Sequence, residues 1–135
     1  AWSVTNRSPL IRIPVTRGEG TRVELRCPDS AANPYLTLAV CLQAGLDGIR
    51  NQIEPPAAVT ENVFEMRMSQ KNKLGIEELP ADLGEALAEF EKDEYLQNVL
   101  GRHATEKYIE AKKSEWADYR AQVSDWEINN YLYKI

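Results

Sequence analysis

The sequence predicts an α+β chain, a β-hairpin followed by a mostly helical body. Three observations predict it. Two short apolar runs, residues 10–15 and 23–27, flank a loop-like connection at 16–20 that carries Gly18 and Gly20. Over residues 35–51 and again from Asp82 onward the apolar residues recur at helical spacing instead. Helix-start signatures stand at Asn33-Pro34, at Asp82 with Glu85, and at Ser124 with Glu127.

The hairpin carries five arginines: Arg7, Arg12, Arg17, Arg22 and Arg26. Residues two apart on a strand share a face. Arg22, Glu24 and Arg26 therefore point one way, and Val23, Leu25 and Cys27 the other. On the first strand Arg12 opposes Ile11, Ile13 and Val15. If the apolar faces coincide, Arg12 joins the charged face, and the ribbon has one buried side and one side holding guanidinium groups around a carboxylate. Two readings of that side stand. Guanidinium forks bind phosphate or carboxylate oxygens through paired hydrogen bonds, and a lone glutamate among them can neutralise them or hold a metal. A solvated strand face with cross-strand ion pairs uses the same residues.

The 135 residues suffice for one domain with a moderate core. No apolar run approaches the roughly 20 residues that span a bilayer, and the opening residues are not expected to act as a signal peptide. Net charge is −5, unevenly spread: residues 1–30 carry five basic and three acidic side chains, the remaining 105 eleven and eighteen. A basic hairpin ahead of an acidic body suits a local anionic ligand and argues against wrapping of DNA, which needs a broad basic surface. Cys27 and Cys41 are read as two buried thiols in a reducing compartment. With His103 they are too few for a zinc site. An isolated two-stranded ribbon is marginal in water, so the hairpin is expected to belong to a larger sheet whose other strands are absent.

The reading divides the chain into an arginine-bearing hairpin over 1–27, a buried helix within 28–53, a loop over 54–80 and a helical region over 81–135. Asn33 caps the first helix and Pro34 opens it. Leu38, Leu42, Leu46 and Ile49 give it an apolar stripe, so deep burial is expected, with Gly45 and Gly48 allowing a neighbouring backbone to approach. Glu54-Pro55-Pro56 stops it, and residues 69–75 read as an exposed loop. Asp82 caps a second helix, Lys92-Asp93 breaks it, and residues 94–100 form a third, ended by Gly101. A longer helix over 104–123 follows. Ser124 and Glu127 open a terminal segment with Ile128, Tyr131, Leu132 and Ile135 apolar, an end suited to packing against a partner. His103 reads as a surface or capping residue.

Taken together, Asn6-Arg7-Ser8, Ile11-Arg12-Ile13-Pro14, Arg22-Val23-Glu24-Leu25-Arg26, Ala31-Ala32-Asn33-Pro34-Tyr35-Leu36 and Ala44-Gly45-Leu46-Asp47-Gly48-Ile49 resemble, in order and spacing, the C-terminal part of the catalytic domain of bacterial type I glutamine synthetase. Leu79-Pro80, Leu83-Gly84-Glu85-Ala86-Leu87 and Tyr108-Ile109-Glu110-Ala111-Lys112 fit as well, so the resemblance covers essentially the whole chain. It implies ligation of ammonia to L-glutamate, driven by ATP through γ-glutamyl phosphate, with Mg²⁺ or Mn²⁺. By similarity, Arg7 lies at the transferring phosphoryl group and touches both ATP and the glutamate side. Arg12 and Arg22 match nucleotide-phosphate arginines, Glu24 a metal ligand, and Arg26 the arginine on the substrate carboxylate.

The resemblance further implies a cytoplasmic enzyme, a dodecamer of two stacked rings, with the residues from Trp126 docking into a partner subunit. Nucleic acid and membrane are not expected partners. Two departures stand out. The hairpin loop is a residue shorter than in some members, and Phe64 stands where members regulated by adenylylation carry tyrosine, so that control is expected to be absent. The family's other metal ligands lie upstream of residue 1, and the 135 residues alone are expected to be inactive. Two alternatives stay open: a non-catalytic module for phosphate or carboxylate capture or for assembly, and a related ligase acting on another amine.

Overall fold

The computed structural model describes residues 1–132 and 134 and divides into two compact units, Ala1–Leu79 and the stretch from Pro80 onward. In the first, three short strands form one sheet in the order β1 (Trp2–Ser3), β2 (Ile11–Arg12), β3 (Glu24–Leu25). The hairpin is present: β2 and β3 are antiparallel, with Arg12 opposite Glu24 and Ile11 opposite Leu25, and Arg26 N–H extends the ladder to Leu10 C=O at 2.9 Å. The sequence reading saw two strands. The third, β1, runs parallel to β2, and at two residues it is too short to show any alternation.

The strands are also shorter than the apolar runs, and the connection correspondingly longer than 16–20. Pro14 has no N–H to give to a ladder. Arg17 Nη1 donates to Pro14 C=O at 2.6 Å, and the chain turns through a 3₁₀ segment at Gly18–Gly20. The expected buried side of the ribbon is not buried. Val23 is 64% exposed, Leu25 38%, and Cys27 is an exposed free thiol with Cys41 half-buried. The interior of this unit lies instead around Ser3, Val59 and Met66.

Helix α1 (Pro34–Arg50) starts as expected, Asn33 Oδ1 accepting from the N–H groups of Tyr35 and Leu36. Its deep burial is overturned. No α1 residue is buried, and Leu42 and Ile49 are 63% and 74% exposed. Within its own unit no strand or helix packs on α1, and of its stripe only Leu46 is half-buried. For the same reason no atom outside the helix comes within 4 Å of a β-carbon built at Gly45 or Gly48. The stretch read as a loop at 69–75 holds a short helix, α2 (Met68–Lys73). Gln70 Oε1 accepts from Arg67 N–H at 3.0 Å to begin it, and Gly75, at φ 62°, follows its end.

The second unit is helical. Helices α3 (Leu83–Lys92), α4 (Glu94–Leu100) and α5 (Arg102–Arg120) pack on one another around Leu87, 6% exposed, and Thr105, 5% exposed. Asp82 caps α3 and Asp93 caps α4 through their carboxylates. Gln97 Nε2 donates to the Phe90 and Glu91 carbonyls at the end of α3, both at 3.0 Å. Gly101, at φ 79°, joins α4 to α5; this left-handed corner starts α5 two residues before the expected 104. In this unit a neighbour does approach Gly84, where a β-carbon would lie 2.8 Å from Trp116 Cε2. Ser124 and Glu127 form their reciprocal cap on α6 (Asp125–Glu127), and a π-helical turn, Ile128–Leu132, follows. Ile135 of the expected apolar end lies outside the described residues. None of the described helices is long and apolar enough to cross a membrane.

Candidate active site

The β2–β3 register places Arg12 directly across from Glu24, so their side chains leave the sheet on the same side. Arg12 Nη1 donates to both carboxylate oxygens, at 3.2 and 3.0 Å. Arg22 donates to Glu24 Oε1 from Nε at 2.9 Å and Nη2 at 2.6 Å, and from Nη1 to Gly20 C=O. Two guanidinium groups therefore share one carboxylate and leave an excess positive charge. Hydrogen bonds from Arg12, and then from Arg22, hold the Glu24 carboxyl below the ordinary glutamate range. Arg12 is the most enclosed of the three, its side chain 19% exposed, and its Nε is buried without a protein acceptor.

Arg7 and Arg26 form a second grouping. They border one cavity of about 700 Å³, whose lining includes Phe64, Ile76, Lys71 and Glu78. Neither guanidinium makes an ion pair or side-chain hydrogen bond among the described residues. Lys71 is compensated: its side chain is 16% exposed and its Nζ meets Glu78 Oε1 at 2.6 Å. The arrangement is an apolar-walled pocket with two free planar forks, suited to oxyanions. The sequence reading put Arg26 with Arg12, Arg22 and Glu24. The structure keeps the last three together and lines the cavity with Arg26 and Arg7.

A turn fixes Arg7 in the chain. Asn6 Oδ1 accepts from Ser8 N–H and from Ser8 O–H, both at 2.9 Å. Asn6 N–H reaches Ser3 Oγ at 3.3 Å, and its Nδ2 reaches Glu61 C=O at 2.5 Å. Val63 N–H donates to Ser8 Oγ at 2.9 Å. The sequence reading missed Asn6, Ser8, Lys71 and Phe64 as contributors. An Asn-x-Ser turn was the available signal for the first two. The others reach the cavity only through tertiary folding.

Among the described residues no group of three or more His, Cys, Asp or Glu side chains could hold a metal. Both Glu24 oxygens are engaged by guanidinium groups. On their own these residues do not fit a metal centre. His103 is exposed in the first turn of α5.

Residues 1–131 match the family model for the glutamine synthetase catalytic domain. The chain belongs to the glutamine synthetase catalytic-domain family. It is 52% identical to the glutamine synthetase of Clostridium saccharobutylicum over 99% of its own length and 30% of that protein's. It is 50% identical to the Methanocaldococcus jannaschii glutamine synthetase, over 98% of this chain and 29% of the other. Among solved structures, a GmaS–ADP complex superposes with a TM-score of 0.80 at 38% identity, over 94% of this chain and 27% of that one. The chain thus spans under a third of the length of the glutamine synthetases it matches.

Proposed function

We propose that this chain is the C-terminal part of the catalytic domain of a type I glutamine synthetase, and that the intact enzyme joins ammonia to L-glutamate at the expense of ATP. The observation that carries the reading is the pair of unengaged guanidiniums, Arg7 and Arg26, around one cavity in a chain of this family. The ADP bound by the GmaS relative supports a nucleotide at this fold.

In this reading a γ-carboxylate oxygen of glutamate attacks the γ-phosphorus of ATP, and ADP leaves. Ammonia then attacks the acyl carbon of γ-glutamyl phosphate, phosphate leaves with the bonding pair, and the nitrogen loses a proton. The transferring phosphoryl group spreads charge over its equatorial oxygens, so positioned cations do most of the work. Arg7 faces that group, and Arg26 grips the substrate carboxylate. Arg12 and Arg22 exchange Glu24 for nucleotide phosphate oxygens, and Glu24 is the single ligand this chain would give to Mg²⁺ or Mn²⁺, the rest lying upstream. The enzyme is read as cytoplasmic and dodecameric. The exposed edge-to-face pair Trp126–Tyr131 and the exposed Leu132 support the terminal segment as its docking element.

Steady-state kinetics on the full-length protein test the assignment. Arg7→Lys replaces a fork with a point charge and should lower turnover on the order of 10³-fold. Arg26→Ala should raise KM for glutamate selectively, and Arg12→Ala KM for ATP. Near-normal turnover in Arg7→Lys removes Arg7 from the catalytic set.

A further inference from the structure

Arg7 is a long side chain with no partner of its own, so its placement depends on the backbone that carries it. That backbone is unusually well tied. Asn6 and Ser8 bond to each other through Asn6 Oδ1 on either side of Arg7. The pair is then anchored at three points: to Ser3, 2% exposed, to the Glu61 carbonyl and to the Val63 amide. The Ser8 hydroxyl gives its one proton to Asn6 and accepts from Val63. Although Ser8 borders the cavity, its donor is already used within the protein. Val63 and the next residue, Phe64, line the same cavity, so one set of bonds sets both the arginine turn and the wall facing it.

We propose that Asn6 and Ser8 are positioning residues, a clamp that aims the Arg7 guanidinium into the cavity. The inference rests on the function proposed above. A competing role is simple stapling of the segment after Pro56 to the sheet. The structure supplies a control for that role. Trp2 Nε1 donates to Pro56 C=O at 2.6 Å, stapling the same segment without touching the Arg7 turn.

The test uses the full-length protein with Ser8→Ala, Asn6→Ala, Ser8→Thr and Trp2→Phe, alone and with Arg7→Ala. Misplacing a catalytic group by an ångström costs about 10²-fold, so Ser8→Ala and Asn6→Ala should lower kcat by about 10- to 100-fold. KM for ATP should stay within about 2-fold, because uniform binding is untouched. Ser8→Thr, which keeps the hydroxyl, should restore most of the turnover. In the Arg7→Ala background the same substitutions should cost less than about 2-fold, the signature of residues acting through one group. Trp2→Phe should lower thermal stability and leave kcat near the parent's.

Folded Ser8→Ala and Asn6→Ala variants with parental kcat would overturn the clamp. So would an equal loss without Arg7, or an equal loss from Trp2→Phe. Should Ser8→Ala fail to fold, Asn6→Asp carries the test, since it keeps the Oδ1 acceptor and loses the donor to Glu61. A parent that forms no glutamine would overturn the functional reading instead. Crystal structures of Asn6→Ala and Ser8→Ala then decide the clamp without activity: a displaced Arg7 turn supports it, and an unmoved one overturns it.

Discussion

Glu24 accepts from Arg12 across the ladder and from Arg22, two residues ahead of it and outside β3, and that sharing has a measurable consequence. A carboxylate whose folded value is depressed contributes stability above its unfolded value, about 4.3 for glutamate, and loses that contribution as pH falls through the folded value. The cluster should therefore stay ionised to below the ordinary glutamate midpoint. A carboxyl-detected NMR titration checks this. Arg12→Gln should raise the Glu24 midpoint toward the ordinary value, since the Arg12 hydrogen bond is the leading cause of the shift. A midpoint at or above the ordinary value in the parent would remove the ion cluster. Strand alternation made the Arg12–Glu24 pairing legible once the register is set, but the same alternation put Arg26 on that face, and Arg26 lines the separate cavity with Arg7. The pairing of Arg7 with Arg26 was not legible in the same way. Their cavity is completed by Phe64, Lys71 and Ile76, far along the chain, and periodicity carries no information about contacts of that range.

At the level of elements, helix starts were the clearest feature of the sequence, because a cap is a bond within four residues. Asn33, Asp82 and Ser124, read as helix starts, all accept amide bonds of a first turn, and Asp93, read only as a break, does so too. Burial was not legible. The stripe of α1 met the helical pattern, yet Leu38 and Leu42 are 69% and 63% exposed. Amphipathicity says which face wants cover, not whether a neighbour supplies it. The glycines show the same limit: Gly84 lies against the Trp116 ring, whereas Gly45 and Gly48 meet nothing. In the second unit, Leu87 carries the packing of α3. Leu87→Ala should cost about 2–5 kcal/mol, and Asp82→Ala, which removes a surface cap, about 1 kcal/mol. Urea unfolding measures both, and equal costs would contradict the assignment of Leu87 to the core.

For the molecule as a whole, the decisive fact is length. The chain covers about 30% of the glutamine synthetases it resembles, and its described residues hold arginine forks without a set of metal carboxylates. The 135 residues by themselves should form no detectable glutamine, which a coupled ADP-release assay with glutamate, ammonium and Mg²⁺ can check. The exposed α1 stripe fits a surface that the rest of the polypeptide covers. In the full-length protein, Leu42→Glu should weaken folding far more than an exposed position would allow. The central claim is that these arginines serve ATP-driven amide formation, and product stoichiometry tests it most directly. Purified full-length protein supplied with glutamate, ammonium, ATP and Mg²⁺ should release glutamine, ADP and phosphate in equal amounts. ATP turnover without glutamine, or amide formed from a primary amine but not from ammonium, would contradict it.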